Sequence, residues 1–464
     1  MTKRIIYSFL FLLAGTSAFA KVVLPAIFTD NLVLQRNSEV SVWGWGGAGE
    51  TLKITGTWSK TDTVTTKVAN NGKWITKIRT GEAGGPYMLS VIGSSRVDVN
   101  NVLLGEVWLC SGQSNMEWSI NAKVFKGDEE AAAANNANIR FFDIPHMGAD
   151  NPQEDVKASW TVCNPQTVRT TSAVGYFFAK EIQKNLNVPV GIINSSWGGT
   201  PAEVWIPKEA VENDPVLKAN AYTDKFDWWP GVAGTTYNGM IAPLKPYGIA
   251  GALWYQGESN VGKAKTYSQL MQTLINSWRS DFGKEFPFYY VQIAPYTYGE
   301  GSKSQLLREQ QAKLLDMLPK TGMVVISDLV DDIKDIHPKN KIDVGKRLAN
   351  LAMAETYGKT VGAYKSPMYK SMKAENGKVK LTFDNAATGF KAKNKTISGF
   401  KIAGDDKNFV DAKAEVKGNT IVVSSPQVKN PSAVRFGFDN TSMADIFGKE
   451  GLPVAPFRTD DWDK

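Results

Sequence analysis

The sequence predicts a three-layer α/β domain, built on a parallel sheet, with a β-sandwich domain on either side of it. Two features of the 464 residues support this fold class. From about residue 104 to residue 359, apolar runs alternate with amphipathic helical segments, which is the pattern of a parallel sheet covered by helices on both faces. Before and after this segment, short strands of alternating apolar and polar residues are separated by Gly, Asn and Asp, which is typical of sandwiches.

The first 20 residues have the features of a secretory signal peptide. Lys3 and Arg4 form a short basic region, residues 5–13 are apolar, and Ala18-Phe19-Ala20 fits a small-x-small cleavage site. The apolar run is short for a bilayer, and no other stretch reaches about 18 apolar residues, so no membrane span is predicted. We expect export to a periplasm or to the outside of the cell.

Residues 21–103 are predicted to form the N-terminal β-sandwich. Apolar and polar residues alternate over residues 40–45, 52–56 and 73–78, and Asn70-Asn71-Gly72 predicts a hairpin turn. This segment contains no cluster of titratable residues. Its expected role is support or recognition, and the chemistry is expected elsewhere.

Residues 104–359 are predicted to form the α/β domain. Strands are predicted around residues 102–109, 139–142, 188–194, 249–255, 286–293 and 323–326, and helices around residues 172–186, 270–278, 306–318 and 344–357. Residues 201–246 break the alternation and are predicted to be an insertion. Its aromatic residues either wall a cleft or form a small core of their own; they are Phe226, Trp228, Trp229 and Tyr237.

Residues 360–464 return to short alternating strands and are predicted to form the C-terminal β-sandwich. The strands are expected around residues 378–383, 397–402, 420–424 and 433–438, with turns at Asp384-Asn385 and at residues 417–419.

The charge of the chain argues against nucleic acid as a partner. The formal net charge of +7 falls to +5 once Lys3 and Arg4 are removed with the signal peptide. The remaining lysines are scattered along the sequence, whereas nucleic-acid binding needs a clustered basic surface.

The two cysteines, Cys110 and Cys163, leave the disulfide question open. In the oxidising compartment of an exported protein, such a pair can form a disulfide. Cys110 ends a predicted buried strand, where a small apolar side chain also fits, and this slightly favours the unpaired state.

Four polar stretches fall at the ends of predicted parallel strands, where ligands of such sheets bind. In the first, Gly112-Gln113-Ser114-Asn115, a sharp turn would expose the serine hydroxyl above the sheet as a nucleophile. The others are residues 194–200 with the pair Gly198-Gly199, residues 256–260 with Gln256 and Glu258, and residues 332–338 with His337. Glycine N–H groups and an amide are suitable donors to an oxyanion. Each stretch alone is equally compatible with an ordinary turn or helix cap.

A nucleophilic serine needs a base, and the chain contains two histidines. His337 has Asp335 two residues before it, and His146 has Asp143 three residues before it. At most one of these histidines is expected to be catalytic, and local spacing does not decide between them. The same two histidines are too far apart in sequence to suggest a zinc motif, so no metal and no cofactor are predicted.

These motifs, in this order, resemble the SGNH-hydrolase superfamily and more narrowly its sialate O-acetylesterase branch. The similarity rests on Gln113-Ser114-Asn115-Met116, the glycine block at residues 197–201, Gln256-Gly257-Glu258-Ser259, and Asp335-Ile336-His337-Pro338. It extends to residues 27–35, 42–45, 105–118 and 307–310, and so covers nearly the whole chain after residue 20. The resemblance implies a flavodoxin-like catalytic domain.

The resemblance also implies roles for individual residues. Ser114 would attack the acetyl carbonyl, and His337 would take its proton, since the histidine of the family comes last in chain order. The oxyanion would be held by the N–H of Ser114, by an N–H of Gly198 or Gly199, and by the amide of Gln256, where the superfamily has asparagine.

The acid behind the histidine departs from the superfamily pattern. The usual aspartate lies three residues before the histidine, where this chain has Lys334; Asp335 lies two before it. Either Asp335 completes a triad with Ser114 and His337, or a Ser–His dyad is assisted by a backbone carbonyl. Further residues of the motifs would contact the substrate or support the site: Gln113, Asn115, Trp197, Glu258 and Arg308.

The function implied is hydrolysis of acetyl esters on sugars, above all O-acetylated sialic acids, by a metal-free serine mechanism. An acetylated sugar is the one partner expected. Acetyl xylan or another polysaccharide is the alternative substrate. An exported carbohydrate-binding protein with an inactive hydrolase core is the alternative from another class.

Overall fold

The computed structural model describes residues 21–59, 61–222 and 228–462. The predicted signal peptide of residues 1–20 lies outside these ranges. Within them, no helix is both long enough and apolar enough to cross a membrane.

The described residues form twenty-three strands and eight α-helices. The strands are β1 (Val33–Gln35), β2 (Glu39–Trp45), β3 (Thr51–Gly56), β4 (Thr63–Lys67), β5 (Lys73–Arg79), β6 (Gly84–Ile92), β7 (Arg96–Gly112), β8 (Asn136–Asp143), β9 (Trp160–Cys163), β10 (Val190–Ser196), β11 (Gly251–Tyr255), β12 (Phe288–Val291), β13 (Thr321–Val324), β14 (Met368–Glu375), β15 (Lys378–Asp384), β16 (Phe390–Ala392), β17 (Phe400–Ala403), β18 (Val410–Asp411), β19 (Lys413–Lys417), β20 (Thr420–Ser424), β21 (Ala433–Phe436), β22 (Ile446–Gly448) and β23 (Phe457–Arg458). The helices are α1 (Ser114–Glu117), α2 (Gly127–Ala133), α3 (Ala173–Leu186), α4 (Lys208–Glu212), α5 (Pro215–Asn220), α6 (Tyr267–Asp281), α7 (Ser304–Met317) and α8 (Lys341–Glu355).

A mostly parallel sheet forms the centre of the molecule. Its strands lie in the order β13-β12-β11-β7-β10-β8-β9. The neighbouring strands from β13 to β8 run parallel, and β9 pairs antiparallel with β8 at the edge. The predicted α/β class with a parallel sheet is confirmed.

Helices cover both faces of this sheet. Successive residues of a strand point to opposite faces, and β7 follows this rule. Val107 and Leu109 belong to the core shared with α6 and α7, whereas Trp108 and Cys110 belong to the core shared with α3 and α8. The four long helices predicted from the amphipathic pattern are all present, with bounds that differ by a few residues.

Strand β7 is continuous over 17 residues and belongs to two sheets. Its first half pairs antiparallel with β6, and Leu103 pairs with Val33 of the parallel strand β1. From Glu106 onward the same strand pairs with β10, and from Trp108 onward also with β11. The predicted boundary between residues 103 and 104 therefore falls inside one strand, and no linker separates the two segments.

Antiparallel sheets precede and follow the central sheet in the chain. In the N-terminal segment β2 pairs with β5, and β3 pairs with β4 and β6. In the C-terminal segment the sheets have the orders β14-β15-β20-β19, β18-β17-β21-β23 and β16-β22, and they share one apolar core. The predicted return to strands after residue 360 is confirmed.

The turn predicted at Asn70-Asn71-Gly72 forms, but it is not a hairpin turn. The Gly72 N–H donates to the carbonyl of Ala69 at 2.9 Å. The flanking strands β4 and β5 pair with β3 and β2 respectively and not with each other. The predicted hairpin is therefore wrong, because the chain crosses from one sheet to another at this turn.

The aromatic residues of the insertion do not form one cluster. Tyr237 is buried, and its hydroxyl donates to Asp281 Oδ2 at 2.5 Å. Trp228 is 68% exposed and meets the half-buried Trp229 edge to face, with ring centroids 5.2 Å apart. Phe226 lies outside the described residues. Of the two interpretations offered by the sequence, core packing fits Tyr237. A cleft wall fits Trp229, since a Cβ on Gly199 would lie only 2.7 Å from its ring.

Cys110 and Cys163 are both buried and both free. The unpaired state favoured by the sequence is the one the structure has.

Replacing Trp108 tests how much the central sheet depends on one of its largest buried side chains. Trp108 is fully buried, packs against Phe178 and Tyr289, and donates from its indole nitrogen to the hydroxyl of Tyr357 at 3.0 Å. Trp108→Ala should lower the free energy of unfolding by about 3–5 kcal/mol, measured as a lower denaturant midpoint. Trp228→Ala, at the exposed tryptophan, should cost less than about 0.5 kcal/mol. Equal midpoints for the two variants would contradict this account of the core.

Candidate active site

The predicted strand ends meet at the carboxyl edge of the central sheet. In the register of the sheet, Gly112 at the end of β7 lies between Ser196 of β10 and Tyr255 of β11. The segment with His337 follows β13, at the same edge of the sheet. This is the edge where parallel sheets bind their ligands.

A tight turn after β7 exposes Ser114. Gly112 has φ +135°, and a Cβ at this position would lie 2.2 Å from the carbonyl oxygen of Tyr255, so only glycine fits. The next residue, Gln113, donates its backbone N–H to the same carbonyl at 3.0 Å. Helix α1 begins at once with Ser114, whose N–H has no acceptor within the helix because it is in the first turn.

The structure brings His337 to Ser114. His337 Nε2 lies 2.9 Å from Ser114 Oγ, which is hydrogen-bond distance for proton transfer from the hydroxyl to the ring. The indole of Trp118 stacks on the imidazole, with ring centroids 4.2 Å apart and planes 19° apart. This stacking fixes the ring plane, so Nε2 is held toward the hydroxyl.

Asp335 makes a closer contact with the backbone of His337 than with its ring. Asp335 Oδ1 accepts the His337 backbone N–H at 2.9 Å and lies 3.5 Å from the ring nitrogen Nδ1. The first contact caps the loop, and the second is at the long limit of a hydrogen bond. The same oxygen is therefore available to both roles that the sequence left open.

His337 is in an environment that favours the neutral ring. Burial, and then the positive charge of Lys341, lower the pKa of His337 below its usual value of 6.5, and Asp335 opposes this only in part. A neutral imidazole at pH 7 can accept a proton, as a general base must.

Gly198 lies beside Ser114. A Cβ on Gly198 would come within 3.3 Å of Ser114 Cβ, so the absence of a side chain lets the backbone approach. The Gly198 N–H donates to Glu117 Oε2 at 2.5 Å. The carbonyl of the next residue, Gly199, accepts a hydrogen bond from Ser259 Oγ at 2.9 Å, which fixes the turn.

The second histidine belongs to a different pair. His146 Nε2 lies 2.8 Å from Glu117 Oε1, and the His146 ring stacks on Trp197, with centroids 4.5 Å apart. Asp143, which the sequence offered as its partner, instead accepts hydrogen bonds from Thr171 and Asn194. His146 thus holds the carboxylate that occupies the Gly198 N–H.

The prediction that Gln256 supplies an oxyanion donor does not fit this arrangement. Gln256 is fully buried, and its amide nitrogen donates to Asn260 Oδ1 at 2.7 Å and to the Thr200 carbonyl at 3.2 Å. Its amide oxygen accepts from the hydroxyl of Tyr267 at 2.8 Å. Both amide hydrogens are therefore used within the protein, and the side chain braces the turns after β10 and β11.

A buried polar network lies beneath Ser114 and His337. Asn115 donates from Nδ2 to Glu258 Oε1 at 2.7 Å and to the Ile336 carbonyl at 3.1 Å. Its amide oxygen accepts from Lys341 Nζ at 2.6 Å. Burial raises the pKa of Glu258 and lowers the pKa of Lys341 to about 7. Asn115 therefore joins helix α1 to the loop of His337, and it also contacts a buried acid and a buried base.

The remaining predicted residues have mixed positions. Gln113 accepts the backbone N–H groups of Gly257 at 3.4 Å and Ser259 at 3.3 Å, and so braces the site from behind. The indole of Trp197 stacks on the imidazole of His146. Arg308 is buried against the C-terminal segment, where it donates to the carbonyl of Asp439.

Sequence reasoning missed Glu117, Trp118 and Lys341. Glu117 lies three residues after Ser114, and this helical spacing places both on one side of α1. Lys341 lies four residues after His337 and begins α8. Among the described residues, no group of three or more His, Cys, Asp or Glu side chains is placed to hold a metal ion.

Comparison with known proteins gives the family. Residues 104–354 match the family of sialic acid-specific acetylesterases among the carbohydrate esterases. Human sialate O-acetylesterase is 28% identical over 415 residues, covering 81% of this chain and 79% of that protein. The rat sialate O-acetylesterase is 29% identical over 441 residues, covering 80% of this chain and 81% of that protein.

A solved structure agrees with these relatives. The crystal structure of a carbohydrate acetylesterase from Xanthomonas citri is 36% identical in sequence, with a TM-score of 0.87, and covers 95% of this chain and 100% of that one. The enzyme described here is therefore a carboxylic ester hydrolase, and its chain belongs to the sialic acid-specific acetylesterase family of carbohydrate esterases.

Proposed function

We propose that this chain is an exported serine esterase that removes acetyl groups from O-acetylated sugars, above all O-acetylated sialic acids. Family membership supports the removal of O-acetyl esters from sugars. The observation that carries the serine mechanism is the distance of 2.9 Å between Ser114 Oγ and His337 Nε2, at the carboxyl edge of the parallel sheet.

In the first half of the reaction, Ser114 Oγ attacks the carbonyl carbon of the acetyl ester. Its proton passes to His337 Nε2, and a tetrahedral intermediate with a negatively charged oxygen forms. The bond from the acetyl carbon to the sugar oxygen then breaks. The sugar oxygen takes the proton from His337, and the deacetylated sugar leaves an acetyl group on Ser114.

In the second half, a water molecule takes the place of the sugar. His337 Nε2 accepts a proton from this water as the water oxygen attacks the acetyl carbon. The bond to Ser114 Oγ breaks, the serine regains its proton from His337, and acetate is released. No metal ion or cofactor enters these steps.

The backbone around the nucleophile supplies donors for the negatively charged oxygen. The N–H of Ser114, at the start of α1, is one such donor. The N–H of Gly198 is the second, and it becomes available when the carboxylate of Glu117 rotates away from it. The Glu117 side chain is 33% exposed, so solvent can receive the carboxylate. We assign no such role to Gln256, whose amide is fully committed.

The fold that accompanies this mechanism is the three-layer SGNH-hydrolase arrangement between two β-sandwich domains. Residues 104–359 would form the catalytic domain, with residues 21–103 and 360–464 as the sandwiches. The parallel sheet with helices on both faces supports the first assignment. The antiparallel sheets before and after it support the other two.

Two substrate classes follow from the comparisons. The family description and the human and rat relatives name sialic acid or sialate. The Xanthomonas citri protein is described more broadly as a carbohydrate acetylesterase. Sialate is therefore the first substrate class to test, and an acetylated polysaccharide such as xylan is the second.

Acetate release from three substrates tests the nucleophile and the sugar together. O-acetylated sialic acid, acetylated xylan and an acetyl aryl ester are compared at equal acetyl concentration. Wild type should release acetate from the O-acetylated sialic acid and from the acetyl aryl ester. Of the two sugar substrates, the sialic acid should have the higher kcat/KM. Ser114→Ala should lower kcat by about 10³-fold or more on every substrate, because the attacking oxygen is gone.

The control for this variant is Ser371→Ala, at an exposed serine of β14 whose hydroxyl contacts Thr382. It should keep wild-type activity. Full activity of Ser114→Ala would overturn the mechanism. A higher kcat/KM on xylan would overturn the sialate assignment alone, and wild type inactive on all three substrates would favour a carbohydrate-binding protein.

Export is checked on the mature protein. Cleavage after Ala20 predicts that the chain recovered from the periplasm or the culture medium begins with Lys21. Sequencing of its N-terminus gives the result directly. Full-length protein confined to the cell interior would contradict the proposal.

Asp335→Asn distinguishes a triad from a dyad. Asparagine keeps an oxygen for the His337 backbone N–H but removes the charge that faces the ring. If Asp335 orients and stabilises the protonated ring, kcat/KM should fall by about 10²-fold or more. Asp332→Asn is the matched control, because Asp332 caps the same loop by accepting the Lys334 backbone N–H at 2.9 Å. Losses below about threefold in both variants would favour the dyad.

A further inference from the structure

Lys341 is the most deeply buried basic side chain near the nucleophile, and the serine mechanism does not use it. Its exposed fraction is 0%, and its ammonium group contacts the amide oxygen of Asn115 at 2.6 Å. The same ammonium lies 5.3 Å from the ring centroid of Tyr255 and 5.6 Å from that of Trp118. Aromatic faces stabilise a cation without neutralising it.

The position of Lys341 connects it with both reacting side chains. Asn115, which it contacts, follows Ser114 in α1 and also holds the carbonyl of Ile336, the residue before His337. Trp118, whose ring faces the ammonium, stacks directly on the imidazole of His337. A single buried ammonium therefore contacts Asn115, which adjoins the proposed nucleophile, and faces Trp118, which stacks on the proposed base.

The charges around Lys341 come from three segments. Glu258 faces it from the turn after β11, and Asp331 and Asp335 face it from the loop that follows β13. Among the described residues, none of these carboxylates lies within ion-pair distance of Nζ; Asn115 stands between Nζ and Glu258. The ammonium is therefore uncompensated at close range, and its field acts on its neighbours in a dry environment.

We propose that Lys341 is a positioning residue of the esterase: it holds Asn115 in place under the nucleophile, and its positive charge keeps His337 in the neutral, proton-accepting form. This inference rests on the proposed serine mechanism. Lys341 touches neither the substrate nor the reacting atoms, and it acts through Asn115 and through the electric field at His337.

The electrostatic direction supports the proposal. A nearby positive charge disfavours the protonated ring, and Lys341 is the second cause, after burial, of the lowered pKa of His337. The pKa of Lys341 itself is lowered to about 7, which is above the range where His337 titrates. Lys341 is therefore still charged over the pH interval in which its charge affects the base. Below that interval His337 is protonated and activity is lost.

Two substitutions separate the charge from the contact. Lys341→Gln removes the charge but keeps an N–H donor for Asn115, whereas Lys341→Met removes both. Both variants should raise the pKa of His337 toward its usual value of 6.5, since the repulsive charge is lost in each. Lys341→Met should in addition lower kcat several-fold more than Lys341→Gln, because Asn115 loses its partner.

The measurement is an NMR titration of histidine-labelled protein. The chain has two histidines, so two imidazole signals are expected, and His146→Gln assigns them. In wild type the His337 signal should titrate below pH 6.5. The acid limb of kcat/KM on the acetyl aryl ester should follow the same midpoint and move with it in both variants.

The matched control is Lys284→Met. Lys284 is a more exposed lysine, whose Nζ likewise donates to an oxygen, the Ile249 carbonyl at 2.8 Å, at the opposite edge of the sheet. The Lys284→Met variant should leave the pKa of His337 unchanged. An unchanged titration in folded Lys341 variants would overturn the proposal, and so would failure of both variants to fold, which would assign Lys341 a purely structural role.

The titration also separates this inference from the proposed function. If wild type releases no acetate, the serine mechanism is wrong, yet the response of His337 to Lys341 is still measured by NMR. If wild type is active and the titration does not respond, the mechanism stands and the role of Lys341 is refuted.

Discussion

The position of Ser114, the proposed nucleophile, depends on strand β7 being held along its whole length. The middle of the strand is fixed by a buried carboxylate, Glu106, which lies 2.6 Å from Arg36 Nε and accepts hydrogen bonds from Gln35 at 2.9 Å and the hydroxyl of Tyr357 at 3.1 Å. These partners come from the N-terminal segment and from the chain just after α8. The far end is fixed at Gly112 by the close approach of β11. A strand anchored at both points delivers Ser114 to one place.

Beyond the strand, the geometry of the site is set by buried polar groups that would be costly if unpaired. Asn115 pairs with Lys341, with Glu258 Oε1 and with the backbone before His337 through one amide. A buried acid and base contribute little net stability, since desolvation offsets their attraction. What such groups provide is a fixed arrangement: each needs a partner in a defined direction, and Asn115 meets those directions only when the two loops are correctly placed.

Much of the fold could be predicted because its signals are local. The apolar run that became β7 and the amphipathic pattern of α3, α6, α7 and α8 depend on residues that are close in sequence. Pairing between strands depends on residues far apart, and there the prediction failed. The turn at Asn70-Asn71-Gly72 is present, yet nothing in those residues states that β4 and β5 belong to different sheets. Likewise, the sequence predicted a domain boundary between residues 103 and 104, and no local pattern there indicated that one strand, β7, continues across it.

The site was predictable to the extent that strand ends converge. Ser114 and a histidine were expected at one site because the carboxyl ends of parallel strands meet at one edge, and His337 was preferred to His146 from the family resemblance. Gln256 was at the right edge and had the right chemistry for an oxyanion donor, but Thr200 and Asn260 take its amide hydrogens, and only the folded chain brings them together. A side chain's role thus depends on which neighbours already use its hydrogen-bonding groups.

Lys341 is the reverse case of Gln256: no pattern in the sequence marked it as part of the site, yet the fold places it there. Lysine is almost always exposed, so in a sequence it is interpreted as a solvated surface residue. Here the turn after His337 brings the start of α8 against Asn115, and the packing of Trp118 and Tyr255 removes water from the ammonium. Burial lets this charge act on His337, because the high dielectric constant of water would weaken the same charge on an exposed side chain. Residues that act through such fields are recognised from their burial and neighbours, since no spacing in the sequence distinguishes them from solvated ones.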